Sequence, residues 1–217
     1  MEPGRMSAVI LAGGKSSRMG QNKLFLPLGG RPVVEHFIDL AVKMFAECIV
    51  VTDEPNSFSR FPVKVTHDLV ADGRKNALAG IHAGLLAAAH AYVFVAAGDM
   101  PFITPEVIRL LCSLADGYDL VVPREGPHYQ PLCAVYHKRC LPAIVRQLAA
   151  RRLRVAQFFP QVHVREVESR DMRAADPEGI AFFNVNTPED YATAKALYAR
   201  LTVQRGGESW IYRQSPL

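Results

Sequence analysis

Residues 7–20 read SAVILAGGKSSRMG, a short apolar run that gives way to two glycines and then to cationic and hydroxyl side chains. The apolar part, residues 7–11, has the length and composition of a strand that is buried on both faces. Residues 13–20 are predicted to form a loop, because adjacent glycines let the backbone adopt unusual conformations and approach a ligand closely.

The rest of the chain alternates helical and strand patterns. Such alternation predicts an α/β fold with three αβα layers around a doubly wound, mostly parallel central sheet. The predicted helices span 32–46, 76–89, a segment from about 104, 141–150 and a segment opened by TPED at 187–190. The predicted strands span 7–11, 48–51, 63–66, 92–96, 120–122, 132–136 and 162–167.

Length and charge limit the classes of protein. The chain has 217 residues, of which 49% are hydrophobic, enough for one substantial core. We expect a single domain over 7–204, an N-terminal extension over 1–6 and a loosely held tail over 205–217. The net charge of +4 is spread along the chain, so it does not indicate binding to nucleic acid.

Cysteine spacing and hydropathy indicate the compartment. The four cysteines form no C-x-x-C pair, so neither a zinc site nor a disulfide framework is indicated. No targeting signal is visible at the N-terminus. Residues 77–98 resemble a membrane span, with only His82 and His90 as clearly polar side chains, but the pattern changes near His90 from helix to strand. We therefore expect a cytoplasmic protein that does not bind a membrane.

Three polar features follow predicted strands. They are the loop that begins at Gly13, the pair Gly98-Asp99, and the segment 184–186, which reads NVN. Because ligands of doubly wound sheets bind at the carboxyl ends of the strands, we expect these three features to meet there.

The glycine-rich loop has the composition of a phosphate site. Successive N–H groups can surround phosphate oxygens, and Arg18 and Lys23 add cationic side chains. Gln21 follows Gly20 where a P-loop has lysine, and the dinucleotide fingerprint G-x-G-x-x-G is absent, so a P-loop ATPase or hydride-transfer enzyme is disfavoured. A plain tight turn is the alternative interpretation of the two glycines.

Asp99 follows a strand predicted to be deeply buried. A carboxylate is costly to bury unless it binds a cation or a strong donor. Mg²⁺ is usually held by one or two carboxylates together with substrate phosphates, which makes Asp99 a candidate metal ligand. The alternative is that Asp99 caps the bend at Pro101.

Together these motifs resemble those of the molybdenum cofactor guanylyltransferases, the MobA-like nucleotidyltransferases. The resemblance covers roughly residues 7–201 and implies a Rossmann-like fold of the nucleotide-diphospho-sugar transferase type. It depends on the order and spacing of the motifs rather than on any one of them. They are the loop LAGGKSSRMG at 11–20 with Lys23, LAGI at 78–81, DMP at 99–101, VVPR at 121–124, PLCAVY at 131–136 and FNVNTPED at 183–190.

The resemblance implies transfer of GMP from GTP to the phosphate of molybdopterin, or of its molybdenum-loaded form, with release of pyrophosphate. It implies Mg²⁺ as cofactor, and GTP and molybdopterin as substrates. Molybdenum-cofactor insertion proteins and molybdoenzyme chaperones are the protein partners that it implies.

Residue roles also follow from the resemblance. It assigns nucleotide binding to Leu11, Ala12, Gly13, Gly14, Lys23, Thr52, Asp68, Leu78, Gly80 and Asp99, catalysis to Arg18, Lys23 and Asp99, metal binding to Asp99, and the acceptor side to Arg154, Asn184 and Asn186. Other interpretations stay open for four of these positions. Asp68 can be a surface acid, Asn184 and Asn186 can bond local backbone, and Arg154 can belong to a solvated helix end.

One departure from the family pattern affects specificity. Relatives usually have Gly-Pro before Leu-Ala-Gly, whereas this chain has RKNA at 74–77. The pair Gly13-Gly14 resembles the guanylyl branch more than the cytidylyl branch. Two other functions remain open: cytidylyl or uridylyl transfer to molybdopterin or to sugar or alditol phosphates, and a nucleotide-binding regulator without turnover.

Overall fold

A computed structural model describes residues 1–13, 22–67 and 76–204. Within these ranges the chain forms one large sheet and one short hairpin. The strands, in chain order, are β1 (Ser7–Leu11), β2 (Pro27–Leu28), β3 (Arg31–Pro32), β4 (Glu47–Val51), β5 (Lys64–Thr66), β6 (Tyr92–Ala97), β7 (Leu120–Glu125), β8 (His128–Tyr129), β9 (Cys133–His137) and β10 (Val164–Glu168).

The central sheet has the order β10-β7-β9-β6-β1-β4-β5, with β8 paired to β7. β1 pairs in parallel with both β4 and β6, and the outer pairs β4–β5 and β7–β10 are also parallel. β9 is antiparallel to both of its neighbours, β6 and β7. The mostly parallel sheet expected from the sequence is therefore confirmed, with one strand inverted near its middle.

Helices cover both faces of the sheet. The α-helices are α1 (Val33–Met44), α2 (Ala77–Ala87), α3 (Pro105–Ser113), α4 (Leu141–Ala149), α5 (Ser169–Met172) and α6 (Pro188–Gln204). Alternate strand residues belong to two cores: Ile10 lies in the core that includes residues of α1, α3 and α6, and Val9 lies in the core that includes residues of α2 and α4. This alternation is the expected result when a strand buries both of its faces, and it confirms the three-layer architecture.

The helix caps anticipated from the sequence are present. Thr104 Oγ1 accepts a hydrogen bond from the Val107 amide of α3 at 3.2 Å. At α6, Thr187 Oγ1 accepts from the Asp190 amide at 3.1 Å, and the Asp190 carboxylate accepts from the Thr187 amide at 2.8 Å. This reciprocal pair is a capping box, which fixes where α6 begins.

The apolar stretch 77–98 is divided as expected between α2 and β6. Of the helices in the described part of the chain, none has the length and apolar character needed to cross a membrane.

A small hairpin was missed by the sequence patterns. β2 and β3 pair across a turn at Gly29 and Gly30, whose φ angles are +59° and +81°. A side chain at Gly29 would collide with Tyr198 of α6, since an added Cβ would lie 2.1 Å from its ring. The Tyr191 hydroxyl of α6 donates to the Pro27 carbonyl at 2.5 Å. α6 therefore packs tightly against this hairpin.

Candidate active site

A cavity of about 400 Å³ lies at the carboxyl edge of the sheet. Gly13 reaches it from the end of β1, Asp99 from the end of β6, and Asn184 and Asn186 from the segment before α6. Lys23 lines it from a short 3₁₀ helix, Lys23–Phe25. The described parts of the three polar features, namely Gly13, Asp99 and the pair Asn184 and Asn186, therefore meet in one cavity.

The Asp99 carboxylate is largely buried in the wall of this cavity. Its side chain is 12% exposed, and Oδ2 forms an ion pair with Lys23 Nζ. Oδ1 is buried and has no hydrogen-bond partner among the described residues. A buried carboxylate oxygen without a donor is costly, so this atom has an unmet capacity to bind a cation or donor.

Lys23 connects the two sides of the cavity. Besides the ion pair with Asp99, its Nζ donates to Asn186 Oδ1 at 2.6 Å. The turn that carries Lys23 is capped by Asn22, whose Oδ1 accepts from the Leu24 amide at 3.2 Å. One lysine ammonium thus joins residues that lie far apart in the sequence.

Asn186 is held in place by the start of α6. Its backbone amide donates to Asp190 Oδ2 at 3.0 Å, so the capping box of α6 also fixes the residue that contacts Lys23. The hydrogen bond from the Asn186 amide, together with those from Thr187, lowers the pKa of Asp190. Asn184 bonds locally as well as lining the cavity, because its Nδ2 donates to the Phe182 carbonyl at 2.8 Å.

Two glycines allow close packing beside the cavity. The Gly98 amide donates to the Leu11 carbonyl at 2.9 Å, and a Cβ at Gly98 would lie 3.3 Å from that oxygen. A Cβ at Gly80 would lie 3.2 Å from Leu11 Cδ2. Leu11 and Gly80 therefore form a tight, mainly apolar wall on the α2 side of the cavity.

Ala12, Thr52 and Leu78 do not line the cavity. The Ala12 amide donates to the Val51 carbonyl at 2.9 Å, and the Ala12 side chain is buried. Thr52 is buried, and its hydroxyl accepts from the Glu54 amide at 3.1 Å. Leu78 is fully buried in the core. These three residues support the strand and helix ends around the cavity.

Of the remaining predicted residues, the structure describes only Arg154. Arg154 immediately precedes the 3₁₀ helix Val155–Gln161 and does not line the cavity. Gly14, Arg18 and Asp68 lie outside the described residues. Their predicted roles stay predictions.

Sequence reasoning missed several residues that line the cavity. They are Asn22, Leu24, Val51, Asn76, Ala77, Ala97 and Leu132. Asn76 carried a usable signal, because an Asn directly before an apolar helical run is a typical N-cap, and helix N-termini in α/β folds border the ligand edge. Leu132 could not be recognised, since only the inverted direction of β9 brings it to this edge.

The chemistry open to this arrangement is the binding of cations and anions rather than nucleophilic attack by a thiol. All four cysteines are buried and free. Burial raises the pKa of Cys48, Cys112 and Cys140 to about 12. Asp99 is a carboxylate that lines the cavity. The described residues contain no group of three or more His, Cys, Asp or Glu side chains that could hold a metal ion alone.

Comparison with known proteins agrees with this geometry. Residues 8–164 match the family of MobA-like NTP transferase domains. A relative from Pelotomaculum thermopropionicum, named "Probable molybdenum cofactor guanylyltransferase", is 41% identical over 205 residues, 94% of this chain and 98% of the relative. A "Molybdenum cofactor guanylyltransferase" from Desulfosudis oleivorans is 35% identical over 193 residues, 88% of this chain and 95% of the relative.

A solved structure shows the same likeness in three dimensions. The "Molybdopterin-guanine dinucleotide biosynthesis protein A" of Archaeoglobus fulgidus superposes with a TM-score of 0.78 at 27% identity, covering 90% of this chain and 100% of that one. The family match spans most of the chain, including residues 8–11 of β1, Lys23 and Asp99. The chain therefore belongs to the MobA-like NTP transferase family, as the resemblance of its motifs predicted.

Proposed function

We propose that this protein transfers GMP from GTP to the phosphate of molybdopterin, or of its molybdenum-loaded form, and releases pyrophosphate. The observation that carries the proposal is the meeting of Gly13, Lys23, Asp99 and Asn186 in one cavity. The names of the relatives and of the Archaeoglobus fulgidus structure support the choice of GMP and molybdopterin.

This transfer requires alignment and charge neutralisation rather than a protein nucleophile. The acceptor phosphate is already anionic and attacks the α-phosphorus in line, so the α–β phosphoanhydride bond breaks as the new one forms. The exposed backbone at Gly13 suits close approach of the nucleotide. Lys23 Nζ stabilises negative charge on the phosphates as pyrophosphate leaves. Asn186 holds Lys23 toward the acceptor side of the cavity.

The residues of the cavity fit Mg²⁺. Asp99 Oδ1 is a buried carboxylate oxygen without a partner among the described residues, and Mg²⁺ prefers oxygen ligands from one or two carboxylates plus substrate phosphates. Asp99 would hold the ion. When bound, Mg²⁺ screens the repulsion between the two phosphates and polarises the nucleotide oxygens.

The proposal extends to the surroundings of the reaction. Buried, free thiols at all four cysteines fit a reducing compartment, and we place the protein in the cytoplasm. Molybdenum-cofactor insertion proteins and molybdoenzyme chaperones are the partners we expect to supply the acceptor and receive the product.

A turnover assay tests the proposal. Purified protein is incubated with molybdopterin, Mg²⁺ and one of GTP, CTP, UTP or ATP, and both pyrophosphate and the dinucleotide product are measured. We expect product with GTP and a large loss on omission of Mg²⁺. Product with CTP instead of GTP would indicate cytidylyl transfer. Tight GTP binding without any product would indicate a regulator.

A further inference from the structure

The segment before α6 carries Asn186, which contacts Lys23 across the cavity. Asn186 Oδ1 accepts from Lys23 Nζ at 2.6 Å, although Asn186 is an exposed residue. Its neighbour Val185, in contrast, is fully buried. Because packing does little to fix an exposed residue, the position of Asn186 depends mainly on the hydrogen bonds of the backbone around it.

Two hydrogen bonds fix that backbone. The Val185 amide donates to the Asp99 carbonyl at 3.0 Å, and the Asn186 amide donates to Asp190 Oδ2 at 3.0 Å. The first bond ties the segment to the residue whose carboxylate forms the ion pair with Lys23. The second bond is made by a side chain, so a substitution can remove it.

Asp190 reaches the cavity only through Asn186, since Asp190 itself does not line it. The hydrogen bond from the Asn186 amide is the largest cause that lowers the pKa of Asp190, and the positive charge of Lys23 contributes to the same shift. Asp190 is therefore charged at neutral pH. A hydrogen bond to a charged acceptor is shorter and stronger than one between neutral groups, so the carboxylate holds the Asn186 amide firmly.

Asp190 also caps α6, and this structural role needs separating from the first. A capping box is a reciprocal pair between the N-cap residue and the third residue of the helix, here Thr187 and Asp190. Asn186 precedes the N-cap, so its amide does not belong to that pair. The bond from the Asn186 amide to Asp190 is thus additional to what the start of α6 requires.

We propose that Asp190 is a positioning residue for nucleotide transfer: its carboxylate holds the Asn186 amide, which keeps Asn186 Oδ1 directed at Lys23 Nζ and the ammonium in place for the phosphates. The inference rests on the proposed function and adds a residue outside the cavity that controls its efficiency. It predicts that loss of the Asp190 carboxylate acts through Lys23 rather than through the stability of α6.

Four variants of the full chain separate these effects. Asp190→Ala removes the acceptor, whereas Asp190→Asn keeps an uncharged oxygen that can accept from the same amide. Glu189→Ala is the matched control for charge, because it removes one negative charge from an exposed position in the same turn of α6. Thr187→Ala is the control for capping, because it removes the hydroxyl that caps the Asp190 amide and leaves the carboxylate in place.

Calorimetry gives the dissociation constant of GTP with Mg²⁺, and pyrophosphate release gives kcat. We expect Asp190→Ala to weaken GTP binding and to lower kcat about tenfold each, because a misplaced charged group loses much of its effect. Asp190→Asn should lose about threefold, and the two control variants should stay within about twofold of the wild type. Asp190→Ala and Thr187→Ala should both melt a few degrees lower, since each loses part of the cap.

A double-mutant cycle with Lys23→Met identifies the route of the effect. If Asp190 acts through the lysine, adding Asp190→Ala to Lys23→Met changes GTP affinity and kcat by less than about twofold. A purely structural role would produce the same loss in both backgrounds, since independent effects add. The same cycle with Asp190→Asn, where a threefold loss should disappear, decides the question if Asp190→Ala does not fold.

A full loss in the Lys23→Met background overturns the inference, as do equal losses of GTP affinity in Asp190→Ala and either control variant. A wild type that shows the expected coupling in GTP affinity but yields no product with molybdopterin refutes the proposed function and leaves the role of Asp190 intact. A wild type that binds no GTP refutes both.

Discussion

Glu47 and Asp99 lie at opposite edges of the same sheet, and each carboxylate is paired with a lysine. Glu47 begins β4 and has both oxygens occupied: Oε2 accepts from Ser7 Oγ at 2.6 Å and from the Ala89 amide at 2.8 Å, and Oε1 accepts from Lys64 Nζ at 2.5 Å. Asp99 follows β6, pairs with Lys23 through Oδ2, and leaves Oδ1 without a partner among the described residues.

The difference separates a structural site from a functional one. The two carboxylates are similarly buried, with side chains 7% and 12% exposed. At the amino edge, both Glu47 oxygens accept hydrogen bonds from the protein itself. These bonds join the start of β1 to β4 and to the segment that follows α2. At the carboxyl edge, Asp99 Oδ1 has no partner among the described residues, and Lys23 lines the cavity. Substitutions at the amino edge should therefore change stability, and substitutions at the carboxyl edge should change turnover.

The largest effect is expected for Asp99→Asn. Asparagine keeps the shape of the side chain but removes the charge that would hold Mg²⁺, so turnover should fall roughly a thousandfold. Pyrophosphate release measures turnover, and the melting temperature should stay within a few degrees of the wild type. Near-normal turnover of the variant at saturating Mg²⁺ would show that Asp99 does not hold the metal.

Lys23→Met should have the next largest effect. It removes the cation that stabilises charge on the phosphates, and a loss of roughly a hundredfold in kcat is typical for such a group. It should also weaken GTP binding. Lys195→Met, on the exposed part of α6, makes the same change in net charge and serves as control. Equal kinetics in the two variants would contradict the role of Lys23.

Glu47→Gln should lower stability and leave turnover per folded molecule unchanged. Burial alone would raise the pKa of Glu47, but hydrogen bonds from Ala89, Lys64 and Ser7 outweigh it and lower the pKa from 4.5 to about 2. The charged form therefore stabilises the fold by about 2–3 kcal/mol at neutral pH.

The sign of this linkage gives the pH dependence. Since the folded pKa lies below the ordinary value, the stabilisation is present above pH 4.5 and disappears as the pH falls towards about 2. Urea unfolding of wild type and Glu47→Gln across this range should show two curves that converge in acid. A constant difference between the curves would show that Glu47 is not the titrating group.

The smallest effect is expected for Lys64→Met. The Lys64 side chain is 70% exposed, so its ion pair with Glu47 is largely screened by water. We expect a loss of less than about 1 kcal/mol in the free energy of unfolding, measured with urea, and no change in turnover. A loss as large as that of Glu47→Gln would mean that the lysine, rather than the hydrogen bonds from Ser7 and Ala89, stabilises the buried carboxylate.

Much of the fold was predictable because its signals are local. The apolar runs at β1 and β6 need both faces buried, and Thr104 and Thr187, each followed by proline, mark the starts of α3 and α6. Two-residue strands such as β2 carry no period that a pattern can detect. The direction of β9 depends on its neighbours in the sheet, which no local pattern records.

The candidate site was predictable where strand ends carry unusual residues. Asp99 and Asn186 were found because polar side chains follow apolar strands or precede a capped helix. The hydrogen bond of Lys23 to Asn186 joins positions 163 residues apart, and its geometry arises only from the packed fold. Asn76 was noted only as part of the departure at 74–77 and as the first residue of a predicted helix, so it was not identified as a residue of the cavity.

The candidate site depends on α6, which is synthesised after the rest of the cavity. The helix fixes Asn186 through its first turn, and its Tyr191 and Tyr198 press on the hairpin that directly follows Lys23. Lys23 and Asn186, which are hydrogen-bonded across the cavity, are thus both positioned by α6, near the end of the described chain. A nascent polypeptide with β1 and β6 already synthesised would have no complete site until residues 184–204 had emerged.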